Sequence, residues 1–286
     1  MLKESKRSKI LGSLRIFVER KLIPCRDINS RVFSAFLEGC MRVGIIGCSG
    51  RMGTLLSSLL RSSNRFTLGP GFSRQSPYSL DSVIESNDVL VDFSSSSFSE
   101  ELLIALLSNP KPLIFATTKP EPSYSVDEKL QRLAAYVPVV VCPNTSLGAY
   151  VQKRLVGLLA RVFDDRYDIR ISEVHHREKK DPVSGTAKEL ASILCHTKQE
   201  AWQQEYSIGS HCHSVKNIEL HVSRVGNISG EHEVAFISDK EHISIHHKVF
   251  SRAVFAEGAL RILDWLIDES PPPGCYGPEV GLKVSM

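Results

Sequence analysis

Apolar positions along the chain change rhythm near residue 146. Before that point short apolar runs alternate with stretches of helical spacing. Val43, Ile45 and Ile46 predict a strand over residues 42–46, and Leu55, Leu56, Leu59 and Leu60 a helix after it. Strands follow at Phe66–Leu68, 88–93, 113–117 and 139–142, with a short polar helix before the third and helices over 98–107 and 126–137. This alternation predicts an α/β fold, a parallel sheet with helices on both faces. After residue 146 a long helix over 147–163 precedes Asp168–His175, where Ile169, Ile171, Glu173 and His175 share one face. Further strand-like alternation at 218–225, 234–237 and His242–Lys248 predicts a second, α+β domain with a mostly antiparallel or mixed sheet. Such a sheet has one open face, suited to packing against copies of itself. An apolar helix over 252–267 is expected to return to the first domain. The expected division is 41–145 with 251–286 for the first domain, and 146–250 for the second.

Between the first strand and its helix lies Gly47-Cys48-Ser49-Gly50-Arg51-Met52-Gly53. Strand, glycine turn and helix are the context of a pyrophosphate-binding turn, in which glycine admits phosphate to the backbone and the helix N-terminus adds positive charge. The spacing is G-x-x-G-x-x-G, and a tight turn without ligand is the competing reading. Ligands in such sheets sit beyond the carboxyl ends of strands, where Thr117, Thr118, Pro143, Asn144 and Thr145 fall. Ordinary strand-exit turns have the same composition. At the end of the second strand Gly71-Phe72-Ser73-Arg74 offers an arginine and no acid. That leans towards NADPH over NADH, since an acid there binds the ribose hydroxyl and an arginine accommodates its phosphate. A plain loop arginine explains Arg74 as well.

The second informative segment is Glu173-Val174-His175-His176-Arg177-Glu178-Lys179, followed by Ser184-Gly185-Thr186. Imidazole exchanges protons near neutral pH, lysine adds a compact charge, and a helix start turns backbone N–H groups towards an anion. Thr186-x-x-Glu189 reads as a capping box that opens the helix here. His175, Lys179, Gly185 and Thr186 are therefore expected to converge on a carboxylate and protonate something beside it. His211, His213, His221, His242, His246 and His247 are of the type that ligates zinc, but no H-E-x-x-H or C-x-x-C spacing supports it. No metal is expected. Ser184 is not flanked as a hydrolase nucleophile would be.

Composition narrows the classes. The 286 residues include 35 Lys and Arg against 32 Asp and Glu. Nine of the basic and four of the acidic residues fall in the first forty, so the remainder is nearly neutral and nucleic-acid binding is not expected. No apolar run reaches the ~20 residues of a membrane span. Seven cysteines, odd in number and without C-x-x-C pairs, suit a reducing cytoplasm. In the leader, Ile10, Leu11, Leu14, Phe17, Val18 and Leu22 share one helical face beside Arg15, Arg20 and Lys21. The expectation for 1–40 is a poorly ordered extension or a start codon placed too early, with targeting second.

Taken together, these segments resemble the dihydrodipicolinate (4-hydroxy-tetrahydrodipicolinate) reductase family of the diaminopimelate route to lysine. The resemblance runs from Met41 to about Ile267. It is carried by the glycine turn, Val91-Asp92-Phe93-Ser94, Thr117-Thr118, Asn144-Thr145-Ser146-Leu147-Gly148, the histidine motif with Ser184-Gly185-Thr186-Ala187, the segment from Arg224 to His232, and Ser251-Arg252. It implies hydride transfer from NADH or NADPH to a cyclic imine dicarboxylate with loss of water, in a homotetramer. It further implies that Gly47, Cys48, Ser49, Gly50, Arg51 and Met52 bind pyrophosphate. Ala116, Thr117, Thr118 and Cys142, Pro143, Asn144, Thr145 would line the nicotinamide. His175 would be the proton donor and acceptor, Lys179 a second donor, and His176, Gly185 and Thr186 the substrate contacts.

The sequence departs from the family pattern in places. Ala116-Thr117-Thr118-Lys119 stands for Gly-Thr-Thr-Gly, and Asp181-Pro182-Val183-Ser184 for Asp-Ala-Pro-Ser. Asn144-Thr145 stands for Asn-Phe, Ser73 replaces the acid before Arg74, and the segment from Arg74 to Asp92 is short. These bear on cofactor preference and efficiency more than on the reaction. Two other readings stay open: a different Rossmann-type imine or carbonyl oxidoreductase, and a non-catalytic dinucleotide-sensing module.

Overall fold

The computed structural model describes residues 40–119, 122–198, 213–215 and 218–281. The leader, apart from Cys40, and His211 lie outside the described residues. The chain runs β1 (Met41–Ile46), α1 (Arg51–Arg61), β2 (Phe66–Leu68), α2 (Leu80–Ser86), β3 (Val89–Asp92), α3 (Ser99–Ser108), β4 (Leu113–Phe115), α4 (Tyr124–Ala134), β5 (Pro138–Val141), α5 (Leu147–Val162), β6 (Asp168–His175), α6 (Gly185–Lys198), β7 (His213–Val215), β8 (Ile218–Arg224), β9 (Glu231–Ile237), β10 (His242–Lys248), α7 (Ala253–Glu269) and β11 (Gly274–Tyr276).

Sheet A has the order β11–β5–β4–β3–β1–β2, and every described pair in it is parallel. Its strands are continuous apolar runs because both faces are covered. Leu56 and Leu60 of α1 and Ala259, Ile262, Leu263 and Leu266 of α7 pack one face. Leu102, Leu103 and Leu106 of α3 and Val126, Leu130 and Leu133 of α4 pack the other. The strand order reverses between β1 and β3, which places a ligand crevice at the end of β1, beside Gly47.

Sheet B has the order β10–β9–β6–β8–β7 and is mixed. β6 runs parallel to β8 and antiparallel to β9. Helices α5 and α6 cover one face, burying Ile169, Ile171, Leu220, Val234 and Phe236 against Val156, Leu190 and Leu194. The opposite face is polar and carries the pairs Arg170–Glu233 at 3.6 Å and Lys248–Glu231 at 2.6 Å. The two-sheet α/β and α+β architecture expected from the sequence is the one observed.

Three elements differ from the expected pattern, and β7 is one, formed by antiparallel pairing with β8. β9 begins at Glu231, because the polar Glu231-His232-Glu233 stretch pairs with β6 although it has no apolar alternation. β11 has no hydrophobic pattern of its own and forms by pairing with β5. Helix α7 returns to sheet A, as its apolar face predicts.

The crossing between the halves is tight. The Thr145 hydroxyl donates to the Phe255 carbonyl at 2.6 Å. A Cβ at Gly258 would lie 1.7 Å from the Thr145 carbonyl oxygen. Alanine is the better helix former by about 1 kcal/mol, but this contact is far inside van der Waals distance, so the clash wins. Gly258→Ala is expected to lower unfolding stability by about 1–3 kcal/mol or more, read as a lower denaturant midpoint. An unchanged or raised midpoint would contradict this packing.

Candidate active site

The glycine turn is fixed from below. The N–H groups of Gly47 and Cys48 donate to the Phe72 carbonyl at 2.8 and 3.2 Å. Gly47 has φ +83°, and a Cβ there would meet the Phe93 carbonyl at 2.6 Å. A Cβ on Gly53 would meet the Gly47 carbonyl at 2.3 Å. Helix α1 starts after Gly50 without a side-chain cap and without an acid in its first turn. Its first amides therefore lack intrahelical acceptors and face outward at the positive end of the helix. These features fit a dinucleotide pyrophosphate.

A cavity of about 730 Å³ opens at this end of sheet A. Arg51, Met52, Ala116, Thr118, Cys142, Pro143, Asn144, Thr145, His175, Lys179, Gly185 and Thr186 all line it. The two sequence segments, more than 120 residues apart, thus meet in one cleft. Asn144 Nδ2 donates to Thr186 Oγ1 at 3.0 Å and ties the expected cofactor wall to the expected substrate wall. A second cavity of about 720 Å³ borders the turn on its other side, with Cys48, Ser49, Ser73, Gln75, Arg42 and Arg61 among its lining.

The other expected residues lie around these cavities. Gly47 and Gly50 form the backbone between them. Thr117 is buried and donates to the Asp92 carbonyl at 3.3 Å. His176 borders the main cleft without lining it. Burial, then the nearby charges of Arg252 and Arg51, lower its pKa. Arg74 is exposed in a turn and lines neither cavity.

The histidine motif is organised by Glu173, which is 1 % exposed. Its carboxylate accepts from Arg224 Nη2 at 2.9 Å and from the Ser184 N–H at 3.0 Å. His175 Nδ1 and His232 Nε2 lie 3.4 and 3.5 Å from its Oε2. Burial alone would raise its pKa, but these hydrogen-bonding partners outweigh burial and hold it well below the usual carboxylate range. Lys179 reaches Asp181 at 2.6 Å, and that ion pair lowers the Asp181 pKa. Burial pushes the Cys142 thiol up to about 12, so it lines the cleft as a neutral group.

The capping box expected at Thr186 is not formed. Ser184 is the cap: its Oγ accepts from the Ala187 N–H at 3.1 Å. Glu189 turns away to pair with Lys153 of α5. Among the described residues the histidines considered for zinc do not gather either. His221 pairs with Glu219, His246 faces Glu231, and His247 meets Ser146. Among the described residues the one convergent set of metal-ligand type is Glu173, His175 and His232. Its acid is already engaged by Arg224 and Ser184.

Residues 41–145 match the family model described as dihydrodipicolinate reductase, N-terminus, and residues 148–280 the model described as dihydrodipicolinate reductase, C-terminus. The chain belongs to the dihydrodipicolinate reductase family. It is 78% identical over 246 residues to the 4-hydroxy-tetrahydrodipicolinate reductase of Chlamydia felis, covering 86% of this chain and all of that one. The enzyme of that name from Chlamydia trachomatis serovar A is 46% identical over 83% of this chain and 91% of its own. A solved dipicolinate-bound dihydrodipicolinate reductase from Paenisporosarcina sp. TG-14 shares the fold, with a TM-score of 0.66, 20% identity, and coverage of 85% and 99%.

Within this reductase, several cleft residues were not singled out from the sequence. Arg252, quoted only as part of the resemblance, lines the cleft, as do Phe93, Lys119, Lys153 and Phe255. Glu173 and His232 carry a legible signal: an acid on the inward, apolar-facing side of β6, and a histidine opposite it on β9.

His232 is buried, and its pKa is lowered, with burial as the largest cause. A histidine held below its free value of 6.5 adds stability at neutral pH that is lost as pH falls below that value, because the unfolded chain takes up the proton first. Unfolding stability is therefore expected to fall between about pH 7 and pH 5, with a shallower slope in His232→Gln. Equal slopes in denaturant titrations of the two proteins would contradict it.

Proposed function

We propose that the cleft reduces 4-hydroxy-tetrahydrodipicolinate to tetrahydrodipicolinate, with loss of water, using NADPH or NADH. The observation that carries this reading is the single cavity joining the start of α1 to His175, Lys179 and the start of α6. The nucleotide would lie along the turn from Gly47 to Met52, with Thr118 and the segment from Cys142 to Thr145 beside its nicotinamide. When bound, the reduced nicotinamide supplies the hydride. The positive N-terminus of α6 holds one substrate carboxylate on the Gly185 and Thr186 amides, and His176 adds a contact from the rim. Lys179, held by Asp181 against the cleft, adds charge and a second proton. His175 gives a proton to the electron-rich carbon of the reduced ring, a contribution worth about 10²–10⁴ in rate.

The second cavity supports a preference for NADPH. Arg42 and Arg61 are among its lining residues and no acid is, so a ribose 2′-phosphate meets no carboxylate there. No described helix is long and apolar enough to cross a membrane, and the reading places the enzyme in the cytoplasm of a lysine-producing cell. It forms a homotetramer assembled over the uncovered polar face of sheet B.

The test is a coupled assay with the product of the preceding synthase, following absorbance of the reduced nucleotide. Turnover with both nucleotides and a higher kcat/KM for NADPH are expected. His175→Ala and Lys179→Ala should each keep nucleotide Kd within about twofold while kcat falls about 10²-fold or more. Nucleotide binding without oxidation would instead support a sensing module. Unchanged kcat in either variant would remove that residue's role.

A further inference from the structure

We propose that Glu173 is the positioning residue for His175: its carboxylate keeps the proton of the neutral ring on Nδ1, so that Nε2 is the nitrogen offered to the cleft. This rests on the reading of His175 as proton donor.

Sheet register builds the arrangement. Period-2 alternation puts Glu173 and His175 on the same inward face of β6. The β6–β9 register sets Glu173 opposite His232, and the β6–β8 register sets His175 opposite Arg224. A slip of one residue would turn the whole set to the other face.

The carboxylate itself cannot swing away. Arg224 Nη2 and the Ser184 N–H hold Oε1, and Ser184 N also lies 3.3 Å from Oε2. His175 Nδ1 is buried and has no partner within hydrogen-bond geometry, yet it faces Oε2 at 3.4 Å. Catalytic hydrogen bonds are often long in unliganded enzymes and tighten when the ligand arrives.

The competing ring, His232, has another partner. Its Nε2 lies 2.9 Å from Ser184 Oγ. That hydroxyl accepts from the Ala187 N–H, so its own proton is free to go to His232. Oε2 is then left for His175. The two rings meet edge to face at 5.1 Å, which fixes the plane of His175. Its Nε2 points past Gly230, where a Cβ would come within 3.1 Å. The absence of a side chain there leaves that nitrogen open.

Several other charges surround the ring. His176, Lys179 and Asp181 follow β6 in the chain; Arg252 precedes α7, and Arg51 opens α1. Lys153 of α5, paired with Glu189 of α6, and His247 of β10 lie behind His232. Of these, Lys179 and Lys153 are each paired with an acid, and Arg252 and Arg51 are the further cations. Glu173 is the anion aimed at it.

The decisive experiment uses the unliganded wild-type protein labelled with ¹⁵N, in long-range ¹H–¹⁵N spectra of its histidine rings. Neutral His175 is expected to carry its proton on Nδ1; a proton on Nε2 would overturn the proposal. Glu173→Gln supplies a second readout. Losing the carboxylate makes the doubly protonated ring less favourable, so the alkaline fall of kcat should move to lower pH by about one unit. In the same variant kcat should drop about 100-fold, with the Kd for pyridine-2,6-dicarboxylate within about twofold, and Glu173→Asp should recover part of kcat. A purely structural role would lower stability and leave the pH profile in place, and a superimposable profile would overturn the proposal. Should Glu173→Gln fail to fold, the wild-type spectra alone decide. An active His175→Gln would sink the reading of His175 itself, whereas an inactive His175→Gln with the proton on Nε2 would sink only the role of Glu173.

Discussion

A buried carboxylate organises the second half of this protein. Glu173 joins β6 to Arg224 of β8, to His232 of β9 and to the backbone at the start of α6. A charge taken out of water is costly unless it is paired and hydrogen-bonded. Glu173 is both, and the partners that satisfy it are the ones that must be held still. One interaction therefore fixes the sheet register, the helix start and the surroundings of His175. Removing the acid would leave the buried Ser184 amide without its acceptor and the half-buried Arg224 guanidinium, still bonded to the Asp181 and Pro182 carbonyls, without its counter-charge.

The first half supplies a different constraint. A parallel sheet with a reversal of strand order leaves a crevice at its carboxyl edge, and the tight crossing of Thr145 over Gly258 decides what closes it. Because α7 returns to sheet A, the second sheet is anchored at both of its ends to the first half. The Asn144–Thr186 hydrogen bond spans the two walls. The proposed nucleotide and dicarboxylate would then meet inside a cleft that the fold has already aligned.

Much of this was legible from the sequence because the relevant signals are local. The run from Asp168 to His175 alternates without a break, so the shared face of Glu173 and His175 could be read directly. The glycine turn stands in its strand-to-helix context. What escaped depends on partners far away in the chain. β11 exists because β5 is there to pair with it. The start of β9 is polar because His232 meets Glu173 on one face while Glu231 and Glu233 pair with Lys248 and Arg170 on the other. The capping box failed because the helix starts two residues earlier, with Ser184 capping the Ala187 amide, while Lys153 draws Glu189 away. Arg74 follows the expected strand yet sits on an exposed turn, and Arg42 and Arg61 come to the neighbouring cavity from either end of the first βα unit.

The central claim is that one cleft holds nucleotide and dicarboxylate face to face, with His175 beside the reacting ring. A crystal structure with NADPH and pyridine-2,6-dicarboxylate bound together tests it most directly. The account places the dicarboxylate among His175, Lys179 and Thr186, with the nicotinamide on the wall formed by Thr118 and Asn144. A dicarboxylate seated elsewhere, or a nicotinamide turned away from it, would contradict the account.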